Sequence, residues 1–380
     1  MTKKICLCLA LLAIPAFAKN IQFKSLKIAD ITYEAASAFD FNNDGSLDII
    51  AGQFCFLGPN FKEKIDFTGP LNEGDEFSAF PMDVNGDGKP DIITGGWSSG
   101  TLRWRENPGN INDKWTTHDV DNCGNIERNC FWDIDADGTL EVVPNLPYAK
   151  LFVYKLVHDP NGKPLGEFKK HLIWDEYQGH GLGFGDINGD NRGDFVMVNG
   201  WLEAPEKPYE QKWSWHPVPE FAIGMVSVEM PVWDVNHDGL NDIIIGNGHG
   251  YGLYWFEQKI DGENNRTWIK HEIESDRSQW HDVKLADIDK DGELEIISGK
   301  RWKAHGELDP GSSDPLGLYY FKNDGKGNFK LVTINYGPLG KASGAGIYFW
   351  LADMDKNGYD DIIAPGKDGL YLFYNLGNGK

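Results

Sequence analysis

The sequence predicts an all-β, seven-bladed propeller, and three observations predict it. A nine-residue acidic pattern, D-x-[DN]-x-[DN]-[GN]-x-x-[DE], recurs seven times at a mean spacing of about 52 residues. Each copy runs into a short β-rich segment, such as Ile49-Ile50-Ala51-Gly52 or Ile243-Ile244-Ile245-Gly246. Two further strand signals follow in most repeats. One repeat therefore reads as strand A, acidic loop, strand B, strand C and strand D. Four strands in about 50 residues make one propeller blade.

The elements follow in that order. An apolar strand A precedes each loop. Strand C is aromatic and alternating, as in Leu253-Tyr254-Trp255-Phe256, Leu318-Tyr319-Tyr320-Phe321 and Leu370-Tyr371-Leu372-Phe373. Strand D carries an aromatic-x-x-His signature, from Trp115 to His118, Phe168 to His171, Trp213 to His216 and Trp268 to His271. Blade seven has no strand D after its strand C. The segment from Ile21 to Ile28 is expected to supply it and close the ring, leaving no long exposed sheet edge.

Residues 1–18 read as a secretory signal peptide. Lys3-Lys4 is the basic start, Ile5 to Phe17 the apolar run, and Ala16-Phe17-Ala18 the small-x-small cleavage site. The mature chain, 19–380, is expected to be one propeller domain, secreted or periplasmic. The chain carries 58 acidic against 36 basic residues, a net charge of −22. That argues against nucleic acid or an anionic membrane surface as partner. The three cysteines outside the leader, Cys55, Cys123 and Cys130, form no disulfide scaffold, although Cys123 and Cys130 are close enough in sequence to pair.

The acidic loops offer hard oxygen ligands suited to Ca²⁺. Positions one, three, five and nine are Asp40, Asn42, Asp44 and Asp48 in the first loop and Asp83, Asn85, Asp87 and Asp91 in the second. The third has Asp133, Asp135, Asp137 and Glu141; the fourth has Asp186, Asn188, Asp190 and Asp194. Asp234, Asn236, Asp238 and Asp242 follow in the fifth, Asp287, Asp289, Asp291 and Glu295 in the sixth, and Asp353, Asp355, Asn357 and Asp361 in the seventh. These positions hold 23 of the 58 acids, so much of the charge is a calcium inventory and not a statement about partners. An Asx-turn loop that needs no metal is the alternative. The loops resemble FG-GAP/VCBS-type repeats, found in calcium-binding propellers such as the head of integrin α chains. That resemblance implies the fold and structural Ca²⁺, but not one function.

Recurrence separates framework from site. His118, His171, His216 and His271 share one strand-D position and are assigned to packing. Six residues before the loops, strand A carries Glu34, Glu127, His180 and His281 in blades one, three, four and six. Equal parity aims them at one mouth of the central channel, opposite the acidic loops. The B–C connections emerge at that mouth and diverge between blades. They bring Trp97, Trp201, His249, Lys300, Arg301, His305 and Lys367.

The stretch from Gly299 to Pro310 (GKRWKAHGELDP), with Gln279-Trp280-His281 and Gly179-His180-Gly181, resembles the propeller part of aldos-2-ulose dehydratase-like proteins. That resemblance implies elimination of water from a keto-sugar, with a metal and histidines in the propeller. The residue types suit it: elimination beside a carbonyl needs a base, an electrophile for the enolate and an acid for the leaving hydroxyl. His281 or His180 is expected as base or metal ligand. His249 and His305 would complete a divalent site for Zn²⁺ or another divalent ion. Lys300 and Arg301 would hold the developing oxyanion. Trp97 and Trp201 would stack the sugar, with Glu34, Glu127 and Lys367 also contacting it. Polysaccharide lyase chemistry is the nearest rival. A non-catalytic propeller that binds a glycan or a protein is the alternative from another class.

Overall fold

The computed structural model describes residues 20–377, apart from Glu73 and Asn264. The signal-peptide assignment lies outside the described residues. The chain forms seven four-stranded antiparallel sheets, six of them meanders of consecutive strands. In blade five these are Val232–Trp233, Asp242–Gly246, Tyr251–Ile260 and Arg266–Ser278. The seventh sheet takes its outermost strand from the N-terminal end: Phe23–Ala29 pairs with Gly369–Asn375, from Phe23 opposite Asn375 to Ala29 opposite Leu370. The expected closure is therefore present.

The core is as periodic as the sequence. Seven apolar clusters lie between neighbouring blades, one at each seam. Phe41, Phe67 and Trp115 join blades one and two, and Val153, Phe195 and Trp213 join three and four. At the closing seam Ala36, Ile49, Ile363 and Leu372 join blades one and seven. Every strand B is buried along its length, because it is covered on both faces by the adjacent blades. Such strands read as continuous Ile/Val runs instead of alternating ones.

The strand-D histidines pack as expected. His118 stacks on Trp104, His216 on Trp201 and His271 on Trp255, with ring centroids 4.2–4.3 Å apart. Each Nε2 lies 2.8 Å from a strand-C glutamate, Glu106, Glu203 or Glu257. His171 packs on Tyr209. Cys55, Cys123 and Cys130 are free thiols. Among the described residues no helix is long and apolar enough to cross a membrane.

Candidate functional site

The two faces of the ring are built differently. Each acidic loop is a fixed turn. The position-one carboxylate accepts the backbone N–H groups of positions five and six, as Asp83 does from Asp87 and Gly88. The position-nine carboxylate accepts the N–H of position two, as Asp91 does from Val84. Position six has positive φ in all seven copies, including Asn191 at 66° where the other loops have Gly. Position four has positive φ in all seven as well, at residues as different as Ala136, His237 and Lys290. Three of the loops bring carboxylates within 4.8 Å of one another at Asp133/Asp135/Glu141, Asp287/Asp289/Asp291 and Asp353/Asp355/Asp361.

The other face opens into a cavity of about 610 Å³ lined by Glu34, Trp97, Glu127, His180, Arg301, His305 and Lys367, among others. Glu34, Glu127, His180 and His281 come from the matching strand-A position in four blades and do converge. Glu127, His180, His249 and His281 place one ligand atom each within 4.8 Å of one another. His180 Nδ1 lies 2.8 Å from the Val226 carbonyl, which can only accept, so Nδ1 carries the proton and Nε2 presents a lone pair. His249 Nδ1 lies 3.1 Å from Asp309 Oδ2, which fixes the same tautomer. The two Nε2 atoms face each other at 3.2 Å. His281 Nε2 lies 2.8 Å from Glu127 Oε1, and its Nδ1 is buried with no partner.

Burial sets the charge states. It lowers His249 to about 4, helped by neighbouring His180 and Arg301. Burial also drives His281 well below the usual imidazole range, with Arg301 adding to it. For Glu127 burial acts upward, but the neighbouring His180 and His281 rings and the Arg301 guanidinium outweigh it and hold the carboxyl well below its usual range. Arg301 closes the cluster, donating Nη1 to Glu127 (3.0 Å) and Nε and Nη2 to Glu34 (2.9 and 3.3 Å).

His305 is not among those four, but with His249 and Asp309 it forms a second group whose ligand atoms lie within 4.8 Å of one another. Its ring stacks on His249 at 4.3 Å and its Nδ1 lies 3.0 Å from Asp309 Oδ1, leaving Nε2 as the available atom of a half-exposed imidazole. Asp309 thus holds two histidines at once. Sequence reading missed it, although the His305-x-x-x-Asp309 spacing was the available signal. Tyr148 was also missed; it stands edge-on to Trp97 at the rim, centroids 5.9 Å apart.

Two expected mouth residues lie elsewhere. Trp201 is 3% exposed, packed between blades four and five and stacked on His216, so it offers no face to a sugar. Lys300 is buried with its ammonium donating to the carbonyls of Gly311 and Asp314 (2.9 Å to Asp314). It points away from Arg301, its neighbour on the chain. Glu34 and Glu127 are 4–5% exposed and are engaged by Arg301, so their oxygens serve the cluster before any ligand.

Comparison with known proteins bears on the fold. A family model described as FG-GAP-like repeat matches residues 83–143 and 234–298, each match running from one acidic loop through the next strand B. No curated protein matches the chain. A solved structure described as specific recognition of non-reducing terminal N-acetylglucosamine by an Agrocybe aegerita lectin is similar at a TM-score of 0.47 and 14% identity. It covers 96% of this chain and 92% of that one.

Proposed function

Because the chain is a seven-bladed β-propeller built on FG-GAP-like repeats, we propose that it is an exported propeller with calcium in its acidic loops and one divalent metal at the opposite mouth. In this reading it acts there as a lyase, eliminating a hydroxyl from a keto-sugar or a uronic-acid glycan. The observation that carries the reading is the pair of facing Nε2 lone pairs on His180 and His249, 3.2 Å apart with both tautomers fixed from behind. Two lone pairs repel unless a proton or a cation lies between them. With Glu127, and with His281 once its Nε2 proton moves to the unpartnered Nδ1, the donor set is three imidazoles and one carboxylate, which suits Zn²⁺ or a similar ion. Such an ion supplies, when bound, Lewis-acid polarisation of a carbonyl oxygen.

The remaining steps fall to the chain's own groups. Trp97 and Tyr148 form an aromatic rim on which a sugar face stacks. Lys367 lines the same cavity and supplies positive charge toward a carboxylate or a developing oxyanion. His305, held by Asp309, takes the proton beside the carbonyl through Nε2. The C–H electron pair becomes the new double bond as the β C–O bond breaks. His305 returns its proton to the leaving oxygen, which departs as water from a keto-sugar or as the sugar hydroxyl of the cleaved chain from a uronic-acid glycan. A non-catalytic glycan-binding propeller is the second reading. It is favoured by Arg301, whose guanidinium is already neutralised by Glu34 and Glu127.

The test combines metal analysis of the purified protein with incubation on keto-sugars and uronic-acid glycans, read by the ultraviolet absorbance of unsaturated products. One transition metal per chain and growing absorbance are expected. His180→Ala should lose both, and His305→Ala should lose only the absorbance. Saturable binding without product selects the second reading, and a chain with neither metal nor binding overturns both.

A further inference from the structure

We propose that acidic loops three and six carry their own cation, the ammonium groups of Lys155 and Lys322, so that five of the seven loops take calcium and two do not. The inference rests on the calcium reading above and says which loops it applies to.

One strand-C position faces each loop. The register identifies it: Ile92 opposes Arg105 in blade two, Val142 opposes Tyr154 in blade three and Ile296 opposes Phe321 in blade six. The next residue in each is Glu106, Lys155 and Lys322. In blades four and five the equivalent residues are Glu203 and Glu257, placed by the following N–H, which donates to the position-nine carboxylate. In blades one and seven they are Leu57 and Tyr374 by the same hydrogen bond.

Lysine occupies this position in two blades, and these are the two whose loops hold four acids instead of three. A fourth loop acid and a facing lysine therefore occur together, and neither occurs without the other among the seven copies. Where the third loop position is Asn and the facing residue is Glu, the Asn amide donates to that Glu instead, as in Asn85 to Glu106, Asn188 to Glu203 and Asn236 to Glu257.

The geometry matches the pattern. Lys155 Nζ donates to Asp135 (2.8 and 2.9 Å), Asp137 (2.7 Å) and Glu141 (2.8 Å), the third, fifth and ninth positions of one loop. Lys322 pairs with Asp289 and lies 3.5 Å from Asp291; it is 3% exposed and Asp289 is fully buried. Other cations near the loops reach the fifth position from outside: Lys89 to Asp87, Arg192 to Asp190, and Lys259 to Asp238. Among the described residues only Lys155 and Lys322 pair with a third-position carboxylate. An ammonium tethered by the strand is present at high effective concentration and loses no translational freedom on binding. A calcium ion would have to displace it from its partners, leaving Lys322 buried and Lys155 half-buried without them.

Calcium titration of the whole chain, with bound ions counted by equilibrium dialysis, tests this. The unaltered chain is expected to bind five, Lys155→Met or Lys322→Met six, and the double variant seven. A converse graft, Asn236→Asp with Glu257→Lys, is expected to reduce five to four and serves if the lysine variants fail to fold. Seven ions in the unaltered chain, no gain on removing a lysine, or no loss in the graft would overturn the inference while leaving the calcium reading intact. No bound calcium in any form overturns the calcium reading itself.

Discussion

The loop face and the channel mouth both bury ionisable groups, and burial moves the two sets in opposite directions. On the loop face it pushes position-nine carboxyls up: Asp91 and Asp242 to about 6, Asp194 and Asp361 to about 7, Glu295 to about 8. At the mouth it pushes His249 down to about 4 and His281 well below its usual range. One face thus holds carboxyls that want a cation before they ionise. The other holds imidazoles already neutral, with lone pairs ready for one. The loops share one backbone turn in every blade, whereas the mouth draws unlike side chains from all seven blades. Repetition therefore marks what stabilises the ring, and departure from repetition marks the candidate site.

The largest effect that tests this contrast is metal removal. An ion present at a hundredfold excess over its Kd stabilises a folded chain by about 2.7 kcal/mol. Several occupied loops together would lower the melting temperature by roughly 20 °C when calcium is chelated, on the usual scaling for a chain of this size. Stripping the single mouth ion is expected to cost only a few degrees. Calorimetry with a calcium chelator and, separately, with a transition-metal chelator checks both, and equal shifts would break the comparison.

A tryptophan pair gives the next largest effect. Trp201→Ala opens the blade four–five seam and is expected to cost about 3–5 kcal/mol in denaturant melts, with ligand affinity changed little. Trp97→Ala is expected to cost under about 1 kcal/mol and to weaken glycan binding instead. The opposite assignment would return Trp201 to the mouth.

That pair also shows how far the sequence could be read. The ring, the acidic loops, the closing strand and the four strand-A residues at the mouth follow from period and parity, which the backbone enforces. Trp201 misled because blade four's B–C turn is only Val198-Asn199, so Trp201 already lies in the strand Gly200–Glu203. The signal was present: Trp104-x-Glu106, Trp201-x-Glu203 and Trp255-x-Glu257 recur, each paired with a strand-D histidine. The recurrence that assigns those histidines to packing assigns the tryptophans beneath them to packing as well. Lys300 and Arg301 are neighbours at a strand end, where alternation allows only one to face the channel. Asp309 lies in a long connection with no period at all, so only the folded chain brings it to His249 and His305.

The smallest effect is a proton count. Carboxyls raised in the metal-free fold bind more protons than the unfolded chain between about pH 4 and 7, so their contribution to metal-free stability falls as pH rises through that window. Calcium needs the ionised form. Titration calorimetry at pH 6, repeated in buffers of different ionisation enthalpy, should therefore show up to about one proton released per calcium, and close to none at pH 9. His249 has the opposite sign. Its folded value of about 4 lies below the ordinary 6.5, so the fold binds fewer protons than the unfolded chain, and its contribution is present above about 6.5 and lost as pH falls toward 4. With His249 and His281 already neutral, a zinc-class ion entering the mouth at pH 6 is expected to displace no proton from either. Proton release at the mouth equal to that at the loops would mean that burial does not set the two faces apart.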